Sequence, residues 1–113
     1  MLSMSARVKR VWLAEFRVDF RCGHDGLLAE AYACELTPFE GDALIFVGRD
    51  RRRIKVLYAD SNGLWVCYKV FSRGTSKTLF SFIADRNCRE ISLAELSLLL
   101  DGADYTVHRM QSH

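Results

Sequence analysis

Five cations fall within seven residues in Arg49-Asp50-Arg51-Arg52-Arg53-Ile54-Lys55. Guanidinium and ammonium groups at this density can neutralise phosphates and release counterions, the chemistry of a grip on a nucleic-acid backbone. The bland alternative is a solvated turn whose charges keep neighbouring strands from pairing with other chains. Between Val47 and Lys77 there are eight cations against two acids, a balance of +6, while the rest of the chain carries eight cations against twelve acids. Such an asymmetry points to a surface facing a polyanion. The residues that could carry it are Arg49, Arg51, Arg52, Arg53, Lys55, Lys69, Arg73 and Lys77. Trp65 and Phe71 share the alternation phase of Lys69, so Trp65 joins them as a candidate for base stacking. Paired strands are expected to present Arg53, Lys55, Lys69 and Lys77 along one surface. The reading loses its warrant if the acids of residues 85–104 pack beside Arg51 to Lys55.

Other chemistries find little support. Asp19 and Asp25 form no carboxylate set able to hold two metals. They are better read as a structural pair of Asp19 with Arg21 and as a helix-start carboxylate at Asp25. Gly23 and Gly26 read as backbone requirements of a strand-to-helix turn, not as a phosphate loop. Cys22, Cys34, Cys67 and Cys88 match no zinc-site spacing and read as reduced thiols. His24, His108 and His113 are scattered, and Ser72, Ser76 and Ser81 lack a histidine partner. The chain is therefore expected to be non-enzymatic, without metal or cofactor.

The elements that must position the cations follow from pattern and punctuation. At 113 residues, half of them hydrophobic, the chain can bury one core. A tail over 1–6, a domain over 7–109 and a tail over 110–113 are expected. No run reaches the roughly 18 apolar residues of a membrane span, and the start has no apolar leader, so a cytoplasmic protein is expected. "RVWLAEFRVDFR" reads as a strand or two extended pieces. "HDGLLAEAYACEL" has helical spacing and ends before Thr37-Pro38. "ALIFV" is a continuous apolar run, as in a strand covered on both faces. "RIKVLY" and "LWVCYKVF" alternate around the turn "DSNG", where Asn62-Gly63 suits positive φ. "KTLFSFI" reads as a further strand and "YTVHRM" as a last short one. Ser92 and Glu95 form a capping box opening a leucine-rich helix that Asp101-Gly102 closes. That helix reads as core, with a docking stripe as the alternative. The sum is an α+β domain: an antiparallel meander of about four to five strands with two helices packed on one face.

These pieces, in order, resemble a known family. Asp19, Arg21, Gly23, Asp25, Gly26 and Leu27 meet an Asp-x-Arg-x-Gly-x-Asp-Gly-Leu pattern. Pro38, Phe39 and Gly41 meet a Pro-Phe-x-Gly motif before an apolar strand. Arg51 to Arg53 lead to Lys55, Leu57 and Tyr58, and Asp60, Gly63 and Trp65 complete the series. Together they resemble the TnpB-type, second-open-reading-frame-like accessory proteins of the IS-sixty-six class of bacterial insertion sequences, from about Arg7 to Asp104. Two stretches depart from the pattern: only Arg73-Gly74 remains of a longer Arg-Gly-Arg-Phe run, and the turn after Tyr58 is lengthened and lacks a tryptophan. The resemblance implies a non-catalytic accessory role in DNA transposition beside a separate transposase. The element's transposase is the partner it implies, with DNA and a second copy of the chain as further candidates. A protein adaptor that docks the transposase and touches no DNA is the rival.

Overall fold

The computed structural model describes residues 7–49, 51–72 and 87–101. Their elements run β1 (Arg10–Ala14), α1 (His24–Ala33), a 3-10 turn (Pro38–Glu40), β2 (Asp42–Val47), β3 (Arg53–Ala59), β4 (Leu64–Val70), β5 (Cys88–Ile91) and α2 (Leu93–Asp101). The five strands form one sheet in the order β4-β3-β2-β1-β5. The α+β class and the order of the first elements match the sequence reading. The topology differs in one pairing. β1 and β2 lie parallel, with Val11 opposite Ala43 and Leu13 opposite Ile45, whereas β2–β3, β3–β4 and β1–β5 are antiparallel. The sheet is mixed because α1 lies between β1 and β2, and a helical crossover returns the chain in its starting direction.

The two helices do not share a face. Leu96, Leu99 and Leu100 of α2 pack with Val11, Leu13, Ala43, Ile45, Ile54, Val56 and Tyr58. Leu27 and Ala31 of α1 pack on the other side with Ala14, Leu44, Phe46 and Leu57. Alternate residues of each central strand therefore enter different cores. This is why every residue of β2 is buried and why its sequence is a continuous apolar run. Most of the leucine stripe of α2 is core, with Leu93 at its start 73% exposed. No helix among the described residues is long and apolar enough to cross a membrane.

Local signals explain the boundaries. The capping box forms reciprocally: the Glu95 amide donates to Ser92 Oγ at 3.1 Å, and the Ser92 amide donates to Glu95 Oε1 at 2.9 Å. The Ser92 amide holds the Glu95 carboxyl below its ordinary range, and Arg89 helps. α1 ends at Ala33, earlier than expected, because Glu35 turns left-handed (φ 63). Leu36 N–H then donates to Ala31 O at 3.0 Å and Glu35 N–H to Tyr32 O at 2.9 Å, the paired bonds of a Schellman cap without its usual glycine. The expected turn at Asn62-Gly63 uses no positive φ; Asp60 holds it, accepting the Asn62 amide at 3.0 Å. β5 carries no strong strand signal in the sequence and exists by pairing with β1. The strands expected from "KTLFSFI" and "YTVHRM", the helix stop at Gly102 and both tails lie outside the described residues.

Candidate nucleic-acid interface

The basic turn joins β2 to β3. The Gly48 amide donates to Arg53 O at 2.8 Å and the Arg51 amide to Gly48 O at 2.9 Å. Arg51 takes a left-handed backbone (φ 59), a conformation that disfavours residues with a Cβ by roughly 1–2 kcal/mol. Arg49, Arg51 and Arg52 are exposed. Phe71 N–H donates to Arg52 O at 2.8 Å, and the Arg52 guanidinium reaches Phe71 O at 3.4 Å. The turn is thereby stitched to the end of β4.

Arg49 and Arg53 meet Arg17, from the segment after β1, around a cleft of about 420 Å³ whose wall includes Val18, Asp19 and Phe20. Arg17 was not legible as a site residue, since it is a lone arginine among apolar neighbours far along the chain. Among the described lining residues Asp19 is the carboxylate, and Arg21 neutralises it through a 2.7 Å ion pair. The Arg21 side chain and then its amide pull the Asp19 carboxyl down to about 2, so it stays ionised at neutral pH. The expected Asp19–Arg21 pair therefore forms, exposed at the cleft's edge.

The cations expected on one surface are divided. Register pairs Arg53 with Val70 and Lys55 with Tyr68, but Lys69 with Ile54. Directly opposed residues share a face, so Arg53 and Lys55 point to the α1 side and Lys69 to the α2 side. Lys55 is also withdrawn from solvent, with 9% of its surface exposed. Its ammonium donates to Phe20 O at 2.7 Å and Cys22 O at 2.9 Å. A buried ammonium needs such acceptors, and Lys55 is a structural anchor instead of a phosphate contact. Lys69 donates to Leu100 O at the end of α2, where the helix dipole favours a cation, and lies 4.8 Å from the Phe71 ring centroid. Arg73 and Lys77 lie outside the described residues.

The aromatics also redistribute. Phe71 is buried. Trp65 is 51% exposed but stacks on Tyr58 with a 15° interplanar angle, and its indole N–H donates to Asp60 at 2.7 Å. That bond, followed by the Asn62 amide, lowers the Asp60 carboxyl's pKa. Trp65 thus closes a hairpin on the α2 side, away from Arg53. The aromatic beside the arginines is Tyr68, 53% exposed, whose ring meets Phe20 edge-on at 6.3 Å. Sequence alternation alone could have found Tyr68, because it shares the phase of Val70 across from Arg53.

The remaining motif residues hold the scaffold. Gly41 has φ 106, and a Cβ there would stand 3.0 Å from the Arg7 carbonyl. It caps the Pro38–Glu40 turn; Phe39 in that turn is exposed. Gly26 lies against Cys22, where a Cβ would meet the side chain at 3.1 Å. Gly23 needs neither space nor positive φ, which corrects its expected role. Asp25 stands in the first turn of α1 and makes no side-chain cap bond; the N-cap is Gly23. Its value at the helix start is confined to the dipole. Tyr58 is buried under Trp65, and burial, with Cys67 3.9 Å from its hydroxyl, raises its pKa. The four cysteines are free thiols.

Asp42, which sequence reasoning passed over, is a buried hub. It accepts Arg10 Nε at 3.0 Å, Trp12 Nε1 at 3.0 Å and the Thr37 amide at 2.9 Å. Burial alone would raise its pKa, but these donors outweigh it and hold the carboxyl below its ordinary value.

Among the described residues, the acids Glu90 and Glu95 stand away from the basic turn; Asp50, Asp85 and Asp104 lie outside the described residues. Glu90 lies on β5 opposite Trp12, with β1 and β2 between it and β3. Glu95 pairs with Arg89 at 3.3 Å. Among the described residues no cluster of three histidine, cysteine or carboxylate side chains could hold a metal.

Comparison with known proteins fits this picture. The family model described as IS66 Orf2 like protein matches residues 9–110. The curated "Uncharacterized protein y4jC" of Sinorhizobium fredii (strain NBRC 101917 / NGR234) is 32% identical over 102 residues, covering 89% of this chain and 85% of the relative. No solved structure matches.

Proposed function

The chain belongs to the IS66 Orf2-like family, a transposition-associated accessory family, and we propose that it is a non-catalytic accessory protein that holds the DNA backbone and assists a separate transposase. The observation that carries this reading is the β2–β3 turn. Arg49, Arg51 and Arg52 are exposed there, Arg53 and Arg17 stand at the adjoining cleft, and the acids of β5 and the first turn of α2 lie across the sheet. A left-handed arginine adds support. Glycine or asparagine would suit φ 59 better, so an arginine there carries a cost to the fold, as side chains at functional sites can.

Such a surface reads phosphates and not sequence. The test is titration of a fluorescent duplex of arbitrary sequence at two salt concentrations, with the wild type and an Arg49→Ala/Arg51→Ala/Arg52→Ala variant. Binding in the range of about 1–100 μM is expected, falling steeply with salt. The triple variant should bind more weakly, with a salt slope reduced by about one for each phosphate left without its arginine. Absence of binding at low salt by folded protein would remove the DNA reading and leave an adaptor that docks the transposase without touching DNA.

A further inference from the structure

The α1-side face carries more than a phosphate grip requires. Phe20 lines the arginine cleft, and the Arg53 guanidinium lies 5.7 Å from its ring centroid. Tyr68 meets that ring edge-on and keeps about half its own surface open. Val70, opposite Arg53, is 56% exposed. The surface therefore passes from three arginines to an exposed aromatic without crossing the sheet. The platform is also preformed. Lys55 clamps the carbonyls of Phe20 and Cys22 from below, its ammonium 5.3 Å from the Phe20 ring and 5.4 Å from that of Tyr68. A rigid aromatic loses little freedom when a ligand stacks on it.

A duplex offers this face only its phosphates, because its bases are stacked on one another. An unpaired strand offers phosphates and open base faces together, and grooves that combine cations with aromatic platforms bind it by both. We propose that this face takes an unpaired stretch of nucleic acid, with a phosphate in the Arg17–Arg49–Arg53 cleft and a neighbouring base stacked on Tyr68. This rests on the backbone-binding reading and narrows its substrate to single-stranded segments, such as a frayed or cleaved end.

The test compares a fluorescent thymidine homopolymer of about a dozen nucleotides with a blunt duplex at the same salt. The proteins are the wild type, Tyr68→Ala, Tyr68→Phe and Arg17→Ala/Arg49→Ala, each checked for folding by circular dichroism. The wild type should favour the single strand. Tyr68→Ala should lose fivefold or more, up to about 100-fold, on the single strand and leave duplex binding unchanged. Tyr68→Phe, which keeps the ring, should bind like the wild type. The double arginine variant should weaken both forms. If Tyr68→Ala binds the homopolymer as tightly as the wild type while salt-sensitive duplex binding persists, the single-strand inference falls and the backbone reading stands. If neither form is bound, both fall.

Discussion

The β3–β4 ladder has two faces made from alternate residues of the same two strands, and they put their cations to different uses. On the α1 side, Arg53 stands at a cleft with two other arginines, beside an exposed tyrosine. On the α2 side, Lys69 closes the end of a helix and covers a phenylalanine, while Trp65 is stacked and hydrogen-bonded within its own hairpin. The basic residues of two paired strands are thus not one patch. Register divides them, and each is judged by what lies across from it.

The largest effect is expected from a residue on the α1 side that touches no candidate ligand. Asp42→Ala strands the Trp12 indole and the Thr37 amide, and should lower unfolding free energy by about 3 kcal/mol without altering DNA affinity. Its folded-state pKa is depressed, so the stability it lends is present above its unfolded value of about 3.9 and is lost as pH falls through the folded value. Urea unfolding between neutral and acid pH should show that acid limb flattened in Asp42→Asn. An unchanged limb would mean the hub is not formed in solution.

The two strand lysines separate the faces directly. Lys55→Met leaves two carbonyls without a donor and should cost about 2 kcal/mol, loosening the loop that carries Phe20. Lys69→Met removes a cation from a helix end and should cost less than about 1 kcal/mol. Equal losses in urea midpoint would contradict the division. Lys69→Met should also leave DNA binding as it was, whereas Arg49→Ala should weaken it.

Small effects of the opposite sign come from the two left-handed side chains, Glu35 and Arg51. Replacing either with glycine relieves its backbone and should raise thermal stability by about 1 kcal/mol. Glu35→Gly should do so with DNA affinity intact, and Arg51→Gly at the expense of affinity. If both variants bind DNA like the wild type, the basic turn is only a turn.

Elements announced by local chemistry were legible. The capping box at Ser92, the alternation of β3 and β4 and the doubly covered β2 all arise from neighbours in sequence. The parallel pairing of β1 with β2 was not, because an isolated strand carries no mark of its partner's direction. β5 was missed because "CREI" becomes a strand only through β1. The helices were expected on one face and lie on two, although the apolar run of β2, a strand covered twice, already carried a signal for cover on each side. At the site, the run "GRDRR" reads as a turn, and Arg49, Arg51 and Arg52 are exposed there. Lys55 looked like its neighbours, and only the fold revealed that it faces backbone carbonyls. Arg17 and Phe20 reach the cleft through a loop whose course no periodicity encodes.

The position of β1 between β2 and β5 has a consequence for biosynthesis. Of the described strands β1 leaves the ribosome before the others, yet its second edge is satisfied only when residues 88–91 arrive and pair with it. Until then the nascent chain holds an open strand edge flanked by buried-type side chains, Val11 and Leu13 among them. The hairpins of β2, β3 and β4 can close early because their contacts are local. The final sealing step spans most of the chain and should be the slow one. A product cut short before β5 would keep that edge open, and such products are expected to associate or to be degraded in place of accumulating as half-active protein.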